Sequence, residues 1–149
     1  MIIDCRVRPP YKSYLETKVP FNIENAACMA EHLCLEAPPC VLSGKKDYYA
    51  MVAEMDEAGI THAVLWGRKS PNWGDVPNSE IAEVVALGKG RFIGVGSVSV
   101  RPTTCLADQV KECMDLGLIG IAIDPGQLNP PELCSAAILY PLYAACQDN

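Results

Sequence analysis

The chain is 149 residues long with a net charge of −6, and half of its residues are apolar. That length supports one domain with a real core and excludes two comfortable ones. The acidic balance, with a pI near 4.8, argues against a nucleic-acid partner, which needs Lys and Arg clustered on a net basic face. The longest apolar run, residues 136–146, contains Pro141 and falls far short of the roughly 20 residues that span a bilayer. Met1-Ile2-Ile3-Asp4 has neither the basic start nor the apolar stretch of a signal peptide. No membrane is expected, and a cytoplasmic setting is. The eight cysteines are scattered through predicted elements with no C-x-x-C pair, so reduced thiols are expected and not a disulfide framework. Cys5, Cys113 and Cys146 fall at positions that should face the core.

The first strand lies near residues 2–8. Alternation puts Ile3, Cys5 and Val7 on one face and the charged Asp4, Arg6 and Arg8 on the other. A Pro- and Cys-rich insertion at about 9–46 follows, with room for a short helix at Glu24–Leu35. A helix over about 47–58 is predicted from Tyr48, Val52 and Met55, and Gly59 stops it. Residues 60–66 read as a buried strand and 67–77 as a loop. Asn78 or Ser79 caps the next helix, with Glu80 in its first turn. Residues 91–98 form the third strand. The third helix covers about 106–116, with Leu106, Val110, Cys113 and Met114 inward. Residues 118–123 make the fourth strand, and Pro141 opens a fourth helix.

The pattern is strand-helix four times over, an α/β chain of parallel units about 30 residues apart. An open doubly wound sheet and part of a closed (β/α)8 barrel both fit this order. A last helix with no following strand favours half of a barrel, its N-terminal half. Four stretches resemble the amidohydrolase-related TIM-barrel proteins of the metal-dependent hydrolase superfamily: Ile2–Pro9, Gly59–Leu65, Gly90–Val95, and Gly117–Gly126 followed by Leu139–Tyr143. The resemblance implies a hydrolase of amides, lactones and related bonds, or a decarboxylase of carboxylated aromatic acids. It also implies a divalent metal such as zinc, whose first ligands come from Asp-x-His-x-His on strand one. Here those histidine positions are Arg6 and Arg8. A guanidinium offers no lone pair and stays protonated. At ~6 Å and an effective dielectric of ~20, each would cost a divalent cation on the order of 5 kcal/mol before screening. No metal or other cofactor is therefore expected from these residues.

Four of the five arginines sit at or just past the predicted C-terminal ends of strands: Arg6, Arg8, Arg68 and Arg101. In barrels that end binds substrate, so the expected partner is a small anion, a carboxylate or phosphate held in bidentate fashion. Ser97, Ser99 and Gln127 are candidates for further hydrogen bonds. Asp124 is a candidate general base, or a partner for an arginine, or simply part of the turn that Pro125-Gly126 signals. Structural ion pairs with Asp4 or Asp124 are the plainer use of these arginines. Cys28 and His32, four apart with Cys34 and Cys40 nearby, make a small metal site conceivable, without a strong zinc spacing. His62 lies at the wrong end of its strand for the mouth. Gly94-Val95-Gly96 sits within a strand and is too short for a dinucleotide fingerprint. Three functions are carried forward. The first is an amidohydrolase-related hydrolase (or decarboxylase) acting on a carboxylate-bearing substrate, inactive as a half. The second is an assembly module that completes a barrel as a homo-oligomer or with a missing C-terminal half. The third is a small open domain that binds an anion.

Overall fold

A computed structural model describes residues 1–17, 31–32, 47–101 and 103–149. The proposed Glu24–Leu35 helix, and Cys28, Cys34 and Cys40 of the conceivable metal site, lie outside or largely outside these residues. Four strands form one sheet in the order β1 (Ile3–Val7), β2 (His62–Trp66), β3 (Phe92–Ser97) and β4 (Ile121–Ala122), every neighbouring pair parallel. The helices between and after them are α1 (Tyr48–Glu57), α2 (Asn78–Leu87), α3 (Leu106–Asp115) and α4 (Tyr140–Gln147). β4 is shorter than the sequence suggested, although Ile119 N–H donates to Gly94 O and Gly96 N–H to Gly120 O just ahead of it.

The sheet buries one face only. Residues opposite each other in a parallel ladder share a face, so the pairs Ala63–Phe92 and Leu65–Gly94 point the same way. Ala63, Leu65 and Phe92 belong to a core with Met51 and Met55 of α1, Ile81 and Val84 of α2, and Cys113 of α3. A second cluster joins Val98 and Val100 to Leu106, Val110, Leu142 and Ala145 of α3 and α4. The other face, with His62, Val64, Trp66, Ile93 and Val95, contributes to neither cluster and is half-buried. A doubly wound sheet would carry helices on both faces and would break its sequential strand order. Helices on one face and order 1-2-3-4 are the barrel arrangement.

Local chemistry explains several boundaries. Asp47 caps α1 by accepting from Tyr49 N–H at 2.9 Å, and Gly59 ends the turn with φ +70, a conformation that costs glycine nothing. α2 departs from expectation: Pro77 takes the cap position and no side chain caps it. Asn78 instead turns inward, 3 % exposed, and binds the end of β3. Gly94 and Gly96 let α3 close on that strand, since a Cβ on either would stand 2.5 Å from Leu118 Cδ2 or Cys113 Sγ.

Three expected core positions are corrected. Cys5 and Cys146 are exposed, and Met114 is 43 % exposed. Cys5 lies on the edge strand, and Met114 borders an open groove beside β4 with Ile119 and Cys146. The alternation along β1 is also broken. Asp4 pairs with Ala63 and Val7 with Leu65, so three steps on β1 match two on β2, a β-bulge. Asp4 then shares a face with Val7 and not with Arg6 and Arg8. Its Oδ1 accepts the Arg6 N–H at 3.0 Å.

Candidate functional site

The bulge separates Asp4 from the arginines and leaves Arg6 and Arg8 to face the ends of β2 and β4. Continuing the β1–β2 register by one residue places Arg8 beside Trp66, and continuing the β2–β3 register by two places Arg68 beside Ser97. Arg6 lies over the Trp66 ring, 5.8 Å from its centroid, a cation–π contact that tolerates a second charge nearby. Burial holds the Arg8 guanidinium below its ordinary pKa, and Arg68 and Arg6 push the same way against Asp124 and Tyr14. Burial likewise lowers Arg68, with Asp124 opposing and Arg6 adding to the fall. Arg6, Arg8, Arg68 and Asp124 therefore form one group: three cations and one carboxylate.

No carboxylate among the described residues forms an ion pair with Arg6, Arg8, Arg68 or Arg101. The contrast is Arg91, at the opposite end of the sheet. Its Nη1 pairs with Asp56 at 2.8 Å and its Nη2 donates to Ile60 O at 2.9 Å. Arg68 Nη1 is buried with no hydrogen-bond partner, and so is Ser97 Oγ. Orphaned buried polar atoms are rare in folded proteins and ask for a reason. Tyr14 is fully buried behind this group, its hydroxyl donating to Trp66 O at 2.9 Å, and burial raises its pKa.

The remaining candidates divide. Asp124 is exposed at the end of β4, within the electrostatic reach of Arg8 and Arg68. Ser97 is held through its backbone: its N–H donates to Asn78 Oδ1 at 2.9 Å, and Asn78 Nδ2 donates to Ser97 O at 3.0 Å. Gln127 Oε1 accepts from Trp73 Nε1 at 2.8 Å and Asn72 Nδ2 at 3.2 Å, tying the loop after β4 to the loop after β2. Ser99 and Arg101 line a separate cleft of about 750 Å³. Lys69, in the same cleft, was not singled out from the sequence, although its place directly after Arg68 is the signal that would have found it. His62 Nδ1 sits 3.0 Å from Thr61 Oγ1, at the start of β2 and away from the strand ends.

The residues at the strand ends do not fit a metal. Arg6 and Arg8 have no lone pair to give, and among the described residues no group of three or more His, Cys, Asp or Glu is placed to hold an ion. The five described cysteines, Cys5, Cys105, Cys113, Cys134 and Cys146, are free thiols.

No protein-family model matches the chain, and no curated protein does. Solved structures do. An uncharacterised TIM-barrel protein from Bordetella bronchiseptica is 31% identical, with a TM-score of 0.87 over 99% of this chain and 52% of that one. A 5-carboxyvanillate decarboxylase from Novosphingobium aromaticivorans, solved with manganese and 3-methoxy-4-hydroxy-5-nitrobenzoic acid, is 18% identical with a TM-score of 0.60 over 99% and 48%. A 4-oxalomesaconate hydratase from Rhodopseudomonas palustris is 19% identical with a TM-score of 0.55 over 97% and 48%. The chain spans about half the length of these structures. Its fold is α/β, a parallel four-stranded sheet with alternating helices consistent with half of a TIM barrel. Among the described residues, no helix is long and apolar enough to cross a membrane.

Proposed function

We propose that this chain is the anion-holding, N-terminal half of an amidohydrolase-related TIM-barrel enzyme acting on a small carboxylate-bearing substrate. The observation that carries the reading is the set of three guanidinium groups, Arg6, Arg8 and Arg68, without an ion-pair partner, one of them with a buried donor left unused. Like charges gathered in a partly desolvated place destabilise the fold unless something anionic joins them. A carboxylate offers two oxygens to two forks, the bidentate geometry arginine favours. In this role the arginines orient the substrate, and Asp124 stands beside them as the candidate base. The metal of the superfamily does not fit Arg6 and Arg8 at strand one, which have no lone pair to give it.

Hydrolysis is the first reading, and decarboxylation or hydration the second. The second is favoured by the names of two similar structures, a decarboxylase and a hydratase. Either chemistry draws on the other half of a barrel, supplied by a longer chain or by a second copy. The setting proposed is the cytoplasm, where free thiols stay reduced.

Titration of the chain with butyrate by calorimetry tests the anion site. The reading expects saturable binding that weakens with ionic strength and is lost in Arg68→Gln. Butyrate binding that is absent, or unchanged in Arg68→Gln, would refute it.

A further inference from the structure

The sequence treats the strand-end arginines as one mouth, but the structure splits them. Arg6, Arg8 and Arg68 share their electrostatic field with Asp124, and none of the three lines the cleft that holds Arg101. Arg101 belongs to the cleft of about 750 Å³ between the loops that follow β2, β3 and β4, whose polar lining includes Lys69, Ser70, Ser99, Arg101, Thr103 and Asn129. That volume is within the range of small-molecule sites.

Charge in the cleft runs against the rest of the molecule. The whole chain carries −6, whereas the cleft has two cations, Lys69 and Arg101, against one carboxylate, Asp75. Asp75 is already engaged, with Oδ1 accepting the Ser70 N–H at 2.8 Å. Neither Lys69 nor Arg101 forms an ion pair among the described residues.

All three walls are tied down without using those two cations. Gln109 clasps Ser99, its Oε1 accepting from Ser99 N–H at 2.8 Å and its Nε2 donating to Ser99 O at 3.1 Å. Thr104 Oγ1 accepts from Arg101 N–H at 3.2 Å and has its one proton to donate to Ser99 O at 2.8 Å or Arg101 O at 2.9 Å. Val76 N–H donates to Arg68 O at 2.8 Å, and Trp73 reaches Gln127 on the loop after β4. Fixed walls with uncommitted charge are a preorganised site, which saves the ordering cost of binding. The cleft and the first cluster are linked along the chain, since Arg68 and Lys69 are consecutive residues.

We infer that the cleft is a second anion subsite, built by Lys69 and Arg101, so that the ligand carries two anionic groups on a short spacer. This rests on the Arg6–Arg8–Arg68 site proposed above and extends it from a carboxylate to a dicarboxylate or equivalent dianion. One end is held by the arginine forks of β1 and β2. The other end enters the cleft, where a point charge and a fork sit among hydroxyl groups.

The test is calorimetry on the chain with butyrate and with succinate, glutarate and adipate at matched ionic strength. The inference expects one dicarboxylate length to bind at least 10-fold tighter than butyrate. The double variant Lys69→Gln/Arg101→Gln should lower that affinity to the butyrate level and leave butyrate itself within twofold. Arg101→Lys, which keeps the charge and loses the fork, should fall between. A melting curve by circular dichroism checks that each variant is folded. Butyrate binding with no dicarboxylate gain beyond a twofold statistical factor overturns the inference and leaves the first site standing. So does a gain that survives the double variant. Absence of binding by any of the four acids overturns both.

Discussion

Replacing Asn78 with alanine removes the strap between the start of α2 and the end of β3. The side chain is 3 % exposed and makes three contacts: it accepts from Ser97 N–H at 2.9 Å and donates to Ser97 O at 3.0 Å and Cys113 Sγ at 3.2 Å. A backbone N–H left buried without an acceptor costs about 1–3 kcal/mol. The lost bond to the carbonyl adds about 1 kcal/mol, so Asn78→Ala should destabilise by about 2–4 kcal/mol. For a chain of this size each kcal/mol moves Tm by roughly 2–4 °C, a fall on the order of 4–16 °C. Urea denaturation followed by circular dichroism measures the free energy, and hydrogen exchange at the Ser97 amide reports the site. Asn78→Asp keeps an acceptor but sets a buried carboxylate oxygen against Ser97 O, so it should cost at least as much as alanine at neutral pH. Ser79→Ala, on the exposed neighbour, should change nothing. An Asn78→Ala variant within 0.5 kcal/mol of the parent, with the Ser97 amide still protected, would refute the strap.

Gly96→Ala puts a Cβ 2.5 Å from Cys113 Sγ and 3.1 Å from Leu118 Cδ1, so it should cost about 1–3 kcal/mol as overpacking. The double variant with Cys113→Ala should recover part of that loss in the same denaturation assay. Burial pushes the Cys113 thiol up to about 11, so iodoacetamide at pH 8 should label Cys5, Cys105 and Cys134 well before Cys113 in a peptide map, since thiolate is the nucleophile. Hydrogen bonds from Lys12 and then Tyr11 hold the Glu83 carboxyl below its ordinary value. A carboxyl lowered in the fold adds stability above its unfolded pKa and loses it as pH falls through the folded one. In an NMR titration Glu83 should therefore protonate at lower pH than a glutamate in a model peptide, and Glu83→Gln should flatten the acid limb of the stability curve.

Most of the scaffold was legible because it rests on periodicity. Leu65, Phe92, Val110 and Met55 fall where apolar spacing puts them, and Gly59 ends α1 as a positive φ requires. The errors have local causes. Asn78 reads as a cap, yet the partner that claims it is Ser97, 19 residues away, and no local pattern announces that. Alternation through Asp4 to Arg8 fails at a single bulge, which the residue types do not mark. Cys5, Met114 and Cys146 are apolar enough for a core, but they lie on the edges of the sheet and on the rims of its helices, where none of the described residues covers them. At the strand ends, the arginines were visible in the sequence. Their division into a β1–β2 group and a separate cleft was not, because loop conformation and not spacing sets Arg101 in a cleft that Arg68 does not line.

The central claim is that the strand-end arginines are held for a ligand and not for the fold. Comparing Arg68→Met with the parent by thermal melting, with and without butyrate, tests it most directly. Removing a buried donor that has no acceptor relieves a penalty of about 1–3 kcal/mol, partly offset by the lost attraction to Asp124. Arg68→Met should melt at or above the parent in plain buffer. Butyrate at ten times its dissociation constant should stabilise the parent by about 1.4 kcal/mol and leave the variant unmoved. An Arg68→Met variant that melts well below the parent, and responds to butyrate as the parent does, would contradict it.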